Sequence, residues 1–82
     1  MKFEIPLNKT HKHQLQSIRF SRTHFTPHMA LRYLRDNELS PIKRFDPSDN
    51  WLRYRLREPV PGAPYYVRKI KKNRIQLVYQ II

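Results

Sequence analysis

Residues 51–57 read Trp51-Leu52-Arg53-Tyr54-Arg55-Leu56-Arg57. Leu52, Tyr54 and Leu56 share one parity, and Trp51, Arg53, Arg55 and Arg57 share the other. A helix would smear both sets around its surface. A strand, whose side chains alternate strictly between two faces, sorts them into one apolar face and one cationic face. The stretch is therefore a strand in a sheet with one buried side.

The neighbouring sequence supplies the other elements. Pro59, Pro61 and Pro64 cannot donate to a ladder, so residues 59–64 form a loop. Beyond it, Tyr65 to Ile70 and Ile75 to Ile81 are strands around a basic turn, Lys71-Lys72-Asn73-Arg74, with Ile75, Leu77, Tyr79 and Ile81 as an apolar face. On the other side, Asp46-Pro47-Ser48-Asp49-Asn50 has turn composition, and Pro41 to Phe45 reads as a short strand. Thr26-Pro27 is a helix start, because threonine accepts from a free N–H and proline at the first position has no N–H to lose. That helix runs through Arg35 and ends near Asp36-Asn37, turning Ala30, Tyr33, Leu34 and Asn37 to one side. Phe25 is placed to staple onto Ala30 or Leu31. Leu15 to Phe20 alternates again, with Leu15, Ser17 and Arg19 on one face and Gln16, Ile18 and Phe20 on the other.

The expected fold is α+β: a single helix packed on one face of a mostly antiparallel four- to five-stranded sheet, in the order β-α-β-β-β-β. The other sheet face is expected to be free and basic. Residues 1–14 read as a basic N-terminal arm and residues 15–82 as one domain.

Composition narrows the function. The 82 residues carry 17 Lys and Arg against six Asp and Glu, a net charge of +11. Residues 51–82 hold eight basic groups against Glu58, residues 1–26 hold five against Glu4, and residues 27–50 balance. Charge of this kind, concentrated in one third of the chain, is the footprint of a polyanion-binding surface. The absence of cysteine excludes a disulfide framework and thiolate metal sites. The only glycine, Gly62, sits among prolines, which excludes the glycine-rich phosphate loops of nucleotide-binding folds. No apolar run reaches the length of a membrane span or a signal-peptide core, so the expectation is a soluble, intracellular protein.

The candidate site follows from strand spacing. Alternate residues lie about 6.5–7 Å apart along a strand, a spacing similar to that of phosphates along one nucleic-acid strand. Guanidinium forks bind phosphate bidentately, and an indole stacks on an unpaired base. The candidate nucleic-acid-binding residues are thus Trp51, Arg53, Arg55 and Arg57, extended by Arg68, Lys69, Lys71, Lys72 and Arg74. The opposing explanation is that strand arginines keep an exposed sheet face soluble and guard its edges. Tyr65 and Tyr66, after the proline loop, suit either a core or a partner surface.

Other chemistry has little support. His11 and His13 are two apart, and His24 and His28 are four apart but separated by Thr26-Pro27, so neither pair makes a helical metal site. Asp46 and Asp49 flank a turn, and Ser40 and Ser48 have no histidine nearby in sequence; a core this small rarely offers a protected cleft. The chain reads as non-enzymatic, with no metal and no cofactor. An anionic membrane is a weaker candidate partner than nucleic acid, because no basic amphipathic helix accompanies the charge.

The run from Ser17 to Gln80 resembles a small module found in proteins of tailed phages and large DNA viruses. The resemblance rests on Ile18-Arg19-Phe20-Ser21-Arg22-Thr23-His24-Phe25-Thr26-Pro27, Ala30-Leu31-Arg32-Tyr33-Leu34, Pro41-Ile42-Lys43-Arg44, Trp51-Leu52-Arg53-Tyr54-Arg55 and the final hairpin. That hairpin turns here on Lys72-Asn73, where the module would have glycine. The resemblance implies a viral, non-enzymatic context and carries no assigned activity. It would place the protein in the host cytoplasm or nucleus, or in a virion, and, if Arg53 and Arg55 are shared for structural reasons, it implies that they bond to backbone or to carboxylates such as Asp46 or Asp49. Two functions stay open: a nucleic-acid-binding protein, of DNA or RNA, that contacts mainly the phosphate backbone, and a virion structural or adaptor protein docked on a larger acidic protein.

Overall fold

A computed structural model describes residues 12–48 and 50–82. Its elements are β1 (His13–Ser21), α1 (Pro27–Asp36), β2 (Asp46–Pro47), β3 (Trp51–Arg55), β4 (Tyr65–Ile70) and β5 (Ile75–Ile81). The five strands form one antiparallel sheet in the order β2-β3-β1-β5-β4, and α1 covers one of its faces. Among the described residues the fold is α+β with one helix, and the alternation at residues 51–57 gives the two-faced strand β3.

Register explains why β1 takes the centre. Ile18 stands opposite Tyr54 on β3 and Leu77 on β5, and Phe20 stands opposite Leu52 and Ile75. Those side chains form one row-by-row apolar patch, closed from above by Ala30 and Leu34 of α1. Phe20 is fully buried, and its ring lies 5.1 Å from Phe25, 5.6 Å from Tyr33 and 5.7 Å from Tyr54. Phe25 thus packs on the sheet through Phe20 rather than serving only as a local staple. The helix begins where the sequence indicates: Thr26 Oγ1 accepts from the Met29 N–H, and Pro27 opens the first turn. Asn37 closes it, donating its side-chain amide to the Tyr33 carbonyl.

Three expectations change. β1 begins at His13, so the arm assigned to 1–14 overlaps the sheet at His13 and Gln14, while residues 1–11 lie outside the described residues. Within β1, Leu15 pairs with Tyr79 but Ser17 pairs with the next residue, Val78. Gln16 is the extra residue of a β-bulge, and it shifts the parity: Leu15 packs against the core with Ile18 and Phe20 instead of sharing a face with Ser17 and Arg19. Residues 41–45 are not a strand. Pro41 has no N–H, and the segment makes a single backbone bond to β3, from Ile42 N to Arg55 O at 2.8 Å; the edge strand is instead the two-residue β2.

The proline loop has an internal anchor. The Ala63 N–H donates to the Val60 carbonyl at 3.2 Å across Pro61-Gly62, with Gly62 at φ 80°, as in a type II turn. The buried Gln80 side chain clamps this loop. Its Oε1 accepts from Val60 N at 2.9 Å, and its Nε2 donates to the carbonyls of Val60 and Ala63 at 3.0 and 3.3 Å. Gln80 lies on the sheet face away from the helix, so the loop folds over one end of the face that the sequence reading leaves open.

Candidate functional site

The face opposite the helix is built from the other parity of each strand. Arg19 stands directly opposite Arg53, Ser17 opposite Arg55, and Ser21 opposite Trp51. On the far side of β1, Arg19 pairs with Gln76 and Ser17 with Val78, and the rows end at Lys69 and Val67 on β4. Three guanidiniums therefore occupy three corners of a four-residue square on two neighbouring strands, with the Ser17 hydroxyl at the fourth. Like charges facing each other across an antiparallel pair destabilise it, so the arrangement calls for counter-charge.

One carboxylate supplies part of it. Asp46 Oδ2 lies 3.3 Å from Arg53 Nη2 and 3.1 Å from Arg55 Nε, from the outer edge of the sheet. Asp46 is thus the carboxylate partner of both arginines; Asp49, the other one considered, lies outside the described residues. Arg19 pairs with no carboxylate among the described residues. Its Nη2 donates to Gln76 Oε1, its guanidinium lies 5.4 Å from the Trp51 ring centroid, and its buried Nε makes no hydrogen bond. Gln76 Nε2 in turn donates to Asn73 Oδ1 at 2.9 Å, which ties Arg19 to the basic turn.

A cavity of about 320 Å³ opens beside this square. Gln16, Ser17, Arg19, Arg53 and Arg55 line it from β1 and β3, and Tyr65, Val67, Val78 and Pro59 supply an apolar lining. Ser17 is 1% exposed, and its Oγ has no hydrogen-bond partner.

The residues singled out from the sequence divide between faces. Trp51, Arg53 and Arg55 share the open face, and Lys69 extends it at the opposite edge. Arg74 accepts through its carbonyl from the Ser21 N–H at 2.8 Å, which sets the turn of Lys71, Lys72 and Arg74 beside the Trp51 end of the sheet. Arg57 lies beyond β3, exposed, its carbonyl held by Gln16 Nε2 at 2.9 Å. Arg68 does not extend the arginine surface: it stands opposite Leu77, on the helix-bearing face. Alternation within β4 separates Arg68 from Lys69, so the two cannot serve one sheet face.

Tyr65 and Tyr66 separate for the same reason. Tyr65, 54% exposed, stands at the rim of the arginine cavity. Tyr66 stacks on Tyr79 with ring centroids 5.1 Å apart, and its hydroxyl pairs with His13 Nδ1 at 2.8 Å. Among the described residues, no cluster of three metal-ligating side chains forms; His24 Nδ1 lies 3.1 Å from Ser21 Oγ within the turn after β1.

Sequence reasoning placed Ser17 and Arg19 on one face but assigned them no role. Their shared parity was the available signal; that β1 lies between β3 and β5, bringing Arg19 against Arg53, was not.

No protein family, curated protein or solved structure matches this chain. No helix among the described residues is long and apolar enough to cross a membrane.

Proposed function

We propose that this chain is a small, non-catalytic nucleic-acid-binding protein of viral or phage type that contacts mainly the phosphate backbone. The observation that carries this reading is the open sheet face, where Arg53 and Arg55 share the Asp46 carboxylate, Arg19 pairs with no carboxylate among the described residues, and Lys69 adds a further cation. Phosphate neutralisation by such a surface is sequence-tolerant. Trp51 and Tyr65 border the same face and offer stacking surfaces for unpaired bases. The viral context rests on the sequence resemblance.

Fluorescence anisotropy with single- and double-stranded DNA and RNA oligomers across a salt series tests the reading. The expected result is binding at near-physiological salt with a log–log slope of about −4 to −7, reflecting several neutralised phosphates. Replacing Arg53 and Arg55 by alanine should weaken it with the fold intact. Affinity that collapses for every ligand by about 150 mM salt overturns the proposal.

A second reading has its own observation. β4 is an edge strand, and its Tyr65 and Val67 are 54% and 43% exposed. Such an edge accepts an added strand, which suits a virion structural or adaptor protein docked on an acidic partner. A stoichiometric protein partner retained after nuclease treatment favours this reading over the first.

A further inference from the structure

We infer that the cavity beside Ser17, Arg19, Arg53 and Arg55 is a site for one terminal phosphate monoester carrying a nucleoside, and that the protein thereby recognises phosphorylated nucleotide ends. The inference deepens the proposed nucleic-acid binding and rests on it where the nucleotide is the end of a strand.

Two orphaned donors point to the ligand. Ser17 Oγ and Arg19 Nε are buried and have no hydrogen-bond partner, whereas buried polar atoms in folded proteins are nearly always paired. Ser17 and Arg19 both line the same cavity. Arg53 and Arg55 engage Asp46 through Nη2 and Nε respectively, and each guanidinium carries five N–H donors in all. The square therefore presents donors from three cations and a hydroxyl, matching the several acceptor oxygens and double charge of a phosphate monoester better than a singly charged backbone diester.

The apolar lining selects what the phosphate carries. Val67, Val78 and Pro59 are apolar, and the exposed ring of Tyr65 stands at the mouth. A phosphate seated on the arginines directs its organic substituent towards that lining, where a base stacks on tyrosine. The volume, about 320 Å³, is at the lower end of small-ligand sites and suits one nucleotide. An internal nucleotide would need two exits for its chain. Here Gln80 pins the proline loop across one end of the face, which favours a strand terminus.

The experiment compares oligonucleotides of one sequence ending in 5′-phosphate, 3′-phosphate or hydroxyl, with free adenosine monophosphate and inorganic phosphate as competitors. A terminal phosphate is expected to tighten binding about tenfold or more, and adenosine monophosphate to erase that gain while shifting the Ser17 and Val67 amide resonances. Arg19→Gln, and separately Arg55→Gln in case the central-strand variant fails to fold, should abolish the gain. Tyr65→Ala should weaken adenosine monophosphate but leave inorganic phosphate unchanged. If phosphorylated and hydroxyl ends bind alike and adenosine monophosphate moves no resonance at millimolar concentration, the inference is overturned, while salt-dependent oligonucleotide binding would leave the proposed function standing. If adenosine monophosphate binds at these residues but no oligonucleotide does, the site stands with a free nucleotide as its source and the nucleic-acid reading fails.

Discussion

Asp46→Asn separates the two explanations of the arginine strand. The carboxylate holds Arg53 and Arg55 through one oxygen, with all three side chains 29–44% exposed. Partly solvated pairs of this kind contribute about 0.2–1 kcal/mol each, and two that share an oxygen do not add fully. The variant should therefore lose about 0.5–1 kcal/mol, which for a domain of this size lowers Tm by about 2–8 °C. Its effect on anions has the opposite sign. Two unit negative charges roughly 6 Å apart, on opposite sides of one guanidinium, repel by about 0.7 kcal/mol at the dielectric of water and about 2.8 kcal/mol at an effective value of 20. Removing the carboxylate should then tighten anion binding between about threefold and a hundredfold. Anisotropy titrations of wild type and variant with one oligonucleotide, each over the same salt series, measure this directly, and thermal melts measure the stability change. A folded variant whose affinity is unchanged or weaker would show that Arg53 and Arg55 serve Asp46 and the sheet alone.

Three further changes probe the frame around the site. Gln80→Leu removes all three side-chain bonds to Val60 and Ala63, whose backbone groups regain part of their hydrogen bonding from water; the loss should be about 1–3 kcal/mol in denaturant melts, with faster hydrogen exchange at the Val60 amide, and unaltered exchange there would refute the clamp. Lys71, Lys72 and Asn73 all sit in left-handed backbone, at φ 52°, 56° and 64°, so Lys72→Gly should stabilise the final hairpin by about 0.5–1 kcal/mol; a lower denaturation midpoint would contradict that geometry. Burial pushes the Tyr54 phenol above its ordinary value, so the folded state holds that proton more tightly than the unfolded chain and stability falls as pH rises past about 10. Tyr54→Phe, which gives up only a 3.4 Å bond to the Pro27 carbonyl, should change stability by under about 1 kcal/mol at pH 7 and reduce the alkaline loss above about pH 10; an unchanged loss there would refute this origin.

Local chemistry made much of the fold legible in the sequence. Alternation of apolar and charged residues at 51–57 requires a two-faced strand, Thr26-Pro27 opens a helix because of what each residue does to a free N–H, and the prolines at 59, 61 and 64 forbid a ladder. These are properties of neighbouring residues, and no long-range contact can reverse them cheaply. The candidate site was legible only in part. Arg53 and Arg55 announced themselves by spacing, whereas Arg19 and Ser17 became part of the same square only because the sheet order sets β1 beside β3. The bulge at Gln16 moved Leu15 to the core side, alternation set Arg68 and Tyr66 on the face away from the arginines, and Gln80 drew the proline loop over the sheet. Asp46 reached both arginines from a strand of only two residues. Each of these depends on which strand lies next to which and in what register, and that choice is made by closing one apolar patch over Phe20 and Ile18. Strand order and register are long-range packing decisions, so tertiary structure decided how the site was assembled.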